Sequence, residues 1–214
     1  MLFKKDNSLW SIKLSVIVVA VFVMQMFISG FTEMFLLDGS AWTQPWRFVS
    51  AIFLHAGAGH ILYNLFALII FGLVLEGIAG SRRFLWVFFA SGIIANLVGV
   101  LFYDSSLGAS GAIFGIIGTL VVLRPGMIVW TFNLPMPMFV AGILWAFGDL
   151  VGAVSYFAGN PINNTGNIAH LLGMLFGLIY GGVLRARYKF TGNSDGEFRV
   201  DEREVRDWEE RYMR

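Results

Sequence analysis

Along the chain, long apolar runs alternate with short stretches that hold the charges. Lys4, Lys5 and Lys13 precede an apolar run over residues 14–37, broken only near its far end by Glu33. Residues 38–50 are irregular, and their Gly39, Pro45, Trp42 and Trp46 suit an interfacial loop, because indoles settle at headgroup depth. Trp46-Arg47 leads into a second run, residues 51–77, followed by Arg82 and Arg83. Further runs cover residues 84–103, 110–122, 137–157 and 168–184. Spans of roughly 20 apolar residues cross a hydrocarbon layer about 30 Å thick, so the pattern predicts an all-α, polytopic membrane protein with six transmembrane helices. The first run is too long for a removed signal peptide and lacks a small-residue cleavage site. The expected organisation is a cytoplasmic segment over residues 1–13, a membrane domain over 14–186 and a charged cytoplasmic tail over 187–214. In that tail Val205, Trp208 and Tyr212 share a helical face, which fits a short surface helix or, equally, a solvated and partly disordered tail.

Composition sharpens this picture. The 214 residues are 57% hydrophobic and 14% charged, far from the make-up of a soluble domain. A net charge of +1 gives no case for a nucleic-acid partner, and the absence of cysteine excludes disulfides, thiolate metal sites and a cysteine nucleophile. Arg82, Arg83, Arg124, Arg185, Arg187, Lys189 and the N-terminal lysines all fall on one side of the predicted spans, whereas the loop over residues 158–167 has no charge. The positive-inside rule then places both termini in the cytoplasm. The expected setting is the cell (plasma) membrane, with the lipid bilayer as solvent.

Helix rise turns these anchors into depths. At roughly 1.5 Å per residue, Ser110 lies about 21 Å from Arg124, His170 about 22 Å from Arg185, and Asn64 about 20 Å from Gly77, with His60 one turn higher. A serine, a histidine and an asparagine on three helices thus reach one level, about 8–10 Å beneath the outer boundary of a 30 Å core.

These residue types fit nucleophilic acyl transfer. A serine hydroxyl is a weak nucleophile and needs an imidazole within hydrogen-bond reach, so Ser110 and His170 form a minimal pair, for which a third group is not obligatory. The developing oxyanion can be received by the backbone N–H of Ser110 at the start of its helix, where donors are unpaired and the dipole end is positive. His60 and Asn64, at i and i+4, share a face and supply side-chain donors to the same oxygen. Gly108 and Gly111 allow a substrate backbone to approach closely.

Gly108-Ala109-Ser110-Gly111, Ala169-His170 with Gly173 and Gly177, His60 followed by Asn64, and Trp46-Arg47 together resemble the rhomboid intramembrane serine proteases, over about residues 46–181. The resemblance implies a six-helix core with a Ser–His dyad in a water-filled cavity, hydrolysing transmembrane protein substrates without cofactor or metal. It implies Ser110 as nucleophile, His170 as general base, and His60 and Asn64 as oxyanion donors. Glu76 matches a family glutamate near the cytoplasmic end of the second span, and the loop bearing Trp46-Arg47 matches a membrane-embedded first loop. Phe114 stands where well-known members place a tyrosine against the imidazole.

Each residue also has a plainer reading. Ser110 alone reads as a small residue that lets helices approach, and Asn64 alone as interhelical glue. Gly173, Gly177 and Gly181 after His170 read as a packing seam. His55 reads as structural, and Glu33, Asn96 and Asp149 as interhelical or interfacial polar groups. The matched depth decides for chemistry at Ser110, His170, His60 and Asn64. A small transporter would lack its paired broken halves here, and a metalloprotease its His-Glu-x-x-His run. An inactive rhomboid-like binding factor would typically lack the serine or the histidine, and both are present.

Overall fold

The computed structural model describes residues 8–131, 133–162 and 166–187. The tail helix expected beyond residue 187 lies outside the described residues. Among them, eight α-helices run in order: α1 Trp10–Phe27, α2 Phe31–Phe35, α3 Arg47–Ser50, α4 Ala58–Ala79, α5 Ser81–Phe102, α6 Ser110–Leu123, α7 Met138–Phe157 and α8 Asn167–Arg187. The chain is an all-α polytopic membrane protein. Five helices, α1, α4, α5, α7 and α8, are long and apolar enough to cross a membrane. The sixth apolar helix, α6, has 14 residues and so reaches only about 21 Å.

Two of the expected runs are subdivided. The run over residues 14–37 is not one helix: α1 starts at Trp10 and stops at Phe27, where Ile28 turns extended, and α2 begins after Gly30, whose φ of 78° is a left-handed conformation that glycine adopts freely. The second run starts its long helix seven residues late, at Ala58, because Arg47–Ser50 and Ala51–Phe53 form separate helical turns and Leu54 is extended. The connection after Arg124 is a β-hairpin, β3 Ile128–Thr131 with β4 Leu134–Pro137, turning through Asn133 at φ 60°. Its prolines sit at the outer edge of a two-stranded ladder, where no further strand needs their missing N–H.

The short helix α6 is the centre of the bundle. It is apolar all round, and such a helix has no face to give to solvent. Residues Gly111, Ala112, Ile113 and Gly115 to Leu120 are all buried, against α8, α5, α4 and α7. The contact with α8 is backbone to backbone. A Cβ on Gly173 would overlap the Gly111 carbonyl oxygen, and one on Gly177 the Gly115 carbonyl oxygen. Thr119 Oγ1 donates to Gly115 O at 2.9 Å and Gly177 O at 3.1 Å, fastening the same seam. The large apolar side chains of Tyr63, Phe66, Phe147, Val154, Phe157 and Ile179 point outward to the surface lipid would cover.

Polar groups fasten the ends of this bundle. Glu76, near the end of α4, accepts from Trp10 N at 2.8 Å and Ser11 N at 3.0 Å, so it satisfies free N–H groups at the start of α1. Ser11 Oγ at 3.0 Å and Ser81 Oγ at 2.6 Å complete its shell. In the first loop, Arg47 donates to Glu33 O at 2.9 Å, Leu36 O at 2.7 Å and Gln44 Oε1 at 2.8 Å, with Asp38 at 3.6 Å. Asp38 is held below the ordinary carboxylate range, chiefly by the Ser40 hydroxyl, with Arg47 adding to it. Asn96 donates to Phe48 O at 2.9 Å and ties this loop to α5.

Candidate active site

Ser110 is the first residue of α6, and the segment before it is held from two sides. Strand β2, Ser105–Ser106, pairs with β1, Leu37–Asp38, of the first loop. Gly108 N then donates to Ala51 O at 2.9 Å. Gly108 has φ 128°, which disfavours any side chain, and a Cβ there would lie 2.8 Å from His60 Cε1 and 2.9 Å from His60 Nε2. The glycine therefore lets the His60 ring lie against the loop that delivers the serine.

His170 enters from α8, one turn in from the helix start, with its N–H bonded to Gly166 O at 2.9 Å. Its Nε2 lies 2.8 Å from Ser110 Oγ. Phe114, one turn along α6 from Ser110, stacks on the imidazole with ring centroids 4.5 Å apart and planes 10° from parallel. The ring expected to pack there does so without a hydroxyl. His170 is only 7% exposed, whereas Ser110 is half-buried, so the pair has a buried base and a reachable hydroxyl. A hydroxyl hydrogen-bonded to an imidazole nitrogen beside free helix N-terminal N–H groups is suited to attack on a carbonyl.

His60 of α4 lies against the Gly108 segment, and Asn64 follows it one turn along the same helix. His60 Nδ1 receives Ala56 N at 3.4 Å, and its ring meets that of His55 at 5.0 Å. Asn64 is buried and donates one amide hydrogen to His60 O at 2.9 Å, leaving its second for another acceptor. His55 has a scaffolding position: its N–H donates to Gln25 Oε1 at 2.9 Å, and Gln25 Nε2 donates to its carbonyl at 3.2 Å.

The polar contact that sequence reasoning missed is Asp149. Its Oδ1 lies 3.0 Å from His170 Nδ1, on the ring edge opposite Ser110. Rise along α7 carried the signal: from Pro137, Asp149 comes about 18 Å up, within a helical turn of the depth of His170. Reading it as a generic interhelical group passed over that match.

These elements define a multi-pass integral membrane protein with a serine–imidazole pair near one end of its central helix. The chain belongs to the rhomboid family: the family model for the rhomboid domain matches residues 42–187. Among similar proteins, rhomboid protease GluP of Bacillus subtilis is 33% identical over 132 residues, 61% of this chain and 25% of that protein. Rhomboid protease GlpG of Haemophilus influenzae is 30% identical over 140 residues, 65% of this chain and 69% of that one. RHOMBOID-like protein 6, mitochondrial, of Arabidopsis thaliana is 30% identical over 145 residues, 66% of this chain and 44% of that protein. The chain thus matches between a quarter and two thirds or so of the length of these relatives.

Proposed function

We propose that the protein is an intramembrane serine endopeptidase that cleaves membrane-protein substrates in or near their transmembrane segments. The observation that carries this reading is the 2.8 Å contact between Ser110 Oγ and His170 Nε2. The kinship with relatives named as rhomboid proteases adds to it. In the reaction, His170 Nε2 takes the hydroxyl proton as Ser110 Oγ bonds to the scissile carbonyl carbon. The backbone N–H groups at the start of α6, with His60 and Asn64, hold the oxyanion. The C–N bond then breaks, His170 returns its proton to the leaving amine, and water hydrolyses the acyl-serine with the same base. No cofactor enters these steps.

The charge distribution supports an orientation with both termini cytoplasmic and the site opening outward. Cleavage then falls at the outer end of the substrate segment. A substrate helix keeps its carbonyls in i to i−4 bonds, so it must unwind before attack, and Gly or Pro in its outer part promotes cleavage. The uncharged loop over residues 158–167 favours substrate access beside α7 and α8.

An activated-serine probe such as a fluorophosphonate tests the assignment on purified protein. We expect the wild type to label at Ser110, and Ser110→Ala and His170→Ala to remain unlabelled while folded. Equal labelling of the Ser110→Ala protein, or none of the wild type, would contradict it.

A further inference from the structure

Asp149 is the one charged residue in α7, and it is 7% exposed while its neighbours Phe147 and Leu150 are 63% and 52% exposed. A carboxylate inside an apolar helix is costly unless a partner compensates it. Here the partner is the imidazole of the candidate base, at 3.0 Å. The approach is built into both helices. Asp149 faces His170, and one turn away Gly152 faces Asn167 so closely that a Cβ would lie 2.5 Å from Asn167 Cγ. Both pairs fit a single antiparallel register, and the glycine brings α7 near enough for a short side chain to reach.

We propose that Asp149 is a positioning residue for His170, selecting the tautomer with its proton on Nδ1 and stabilising the imidazolium formed during attack. This rests on the reading of Ser110 and His170 as nucleophile and base. A carboxylate only accepts, so Nδ1 donates to Asp149, and the Nε2 lone pair is left facing the Ser110 hydroxyl. Phe114 cannot do this: a stacked ring fixes the imidazole plane, yet a half-turn within that plane, or a shift of the proton to Nε2, leaves the stack intact. Of the other groups near this edge, the Tyr103 hydroxyl accepts from Ile168 N at 3.1 Å, the Tyr156 hydroxyl donates to Phe102 O, and His60 lies on the serine side. The three side chains Ser110, His170 and Asp149, from three helices, form one continuous line of hydrogen bonds.

The test compares wild type, Asp149→Asn, Asp149→Leu, Ser110→Ala and His170→Ala in liposomes with a single-span reporter substrate, measuring kcat and KM separately. Selective ¹⁵N-histidine spectra of the same proteins read the tautomer, a tractable measurement because the chain has 3 histidines. Asp149→Asn is expected to lower kcat by about 10²–10⁴-fold with KM unchanged, the contribution of a correctly protonated general base. The His170 signal, identified by its loss in His170→Ala, is expected to move from the Nδ1–H to the Nε2–H form. Asp149→Leu removes the carboxylate without leaving a polar group in the helix, and should show the same kcat loss if the Asn variant misfolds. Wild-type kcat in either folded variant, or an unmoved tautomer, would overturn the role of Asp149 while leaving the Ser–His reading standing. A wild type that neither cleaves nor labels would instead remove that reading, and this inference with it.

Discussion

Replacing Gly177 by alanine tests whether the backbone seam between α6 and α8 sets the catalytic distance. A Cβ built on Gly177 lies 2.8 Å from the Gly115 carbonyl carbon and 3.0 Å from its Cα, and nearer still to its oxygen. All three atoms are backbone in the middle of a buried helix, so no side chain can swing aside. Restoring ordinary contact requires α6 and α8 to separate by roughly 1 Å, at an overpacking cost of about 1–3 kcal/mol. His170 stands about two turns up the same face of α8, so the separation passes directly into its 2.8 Å contact with Ser110. A misplacement of about 1 Å costs on the order of 10²-fold in rate. Gly182→Ala is the internal control, because a Cβ there meets nothing within 4 Å. It should be neutral or stabilising by about 0.5–1 kcal/mol, as alanine is in an open helical position. Reporter cleavage in liposomes and thermal unfolding in detergent give the two readouts. If Gly177→Ala matched Gly182→Ala in both, the seam would not be what positions the pair.

His60→Ala and Asn64→Ala should each lower kcat by about 10²–10³-fold without abolishing it, since the backbone donors at α6 remain; unchanged kcat in both would assign them to helix packing alone. Glu76→Ala should destabilise the fold by about 1–3 kcal/mol or more, because it removes the acceptor of the Trp10 and Ser11 N–H groups and of the Ser11 hydroxyl. Thermal unfolding checks this, and an unchanged midpoint would show that α1 is held by its apolar face alone. The Ser110→Ala, His170→Ala double variant should be little slower than either single variant, as for residues acting as a unit.

The parts of the fold legible in the sequence were those governed by run length and small-residue spacing. The helices carrying His60, Ser110 and His170 came from uninterrupted apolar runs, and Gly173 and Gly177 were recognised as a seam because their spacing repeats each turn. Depth arithmetic brought Ser110 and His170 to one level, though not to a bonding distance, which depends on side-chain direction. Breaks inside apolar sequence were illegible: α1 ends where Ile28 turns extended, and Ala51–Phe53 forms a separate turn before extended Leu54, each at apolar residues that read as a continuing run. The hairpin after Arg124 escaped notice because Ile128–Thr131 is apolar and short, and its partner strand contains two prolines that argue against a ladder. Asp149 was visible as a buried charge, but its partner lay on another helix and could not be read from α7 alone.

The central claim is that Ser110 and His170 hydrolyse a peptide bond within the outer part of a membrane span. It is tested most directly by mass spectrometry of the products from a single-span reporter of known topology, co-reconstituted with wild-type or Ser110→Ala protein. The account predicts cuts within about 8–10 Å of the outer boundary by the wild type and none by the Ser110→Ala protein. Cleavage that persists without the Ser110 hydroxyl, or cuts mapping to the cytoplasmic third of the span, would contradict it.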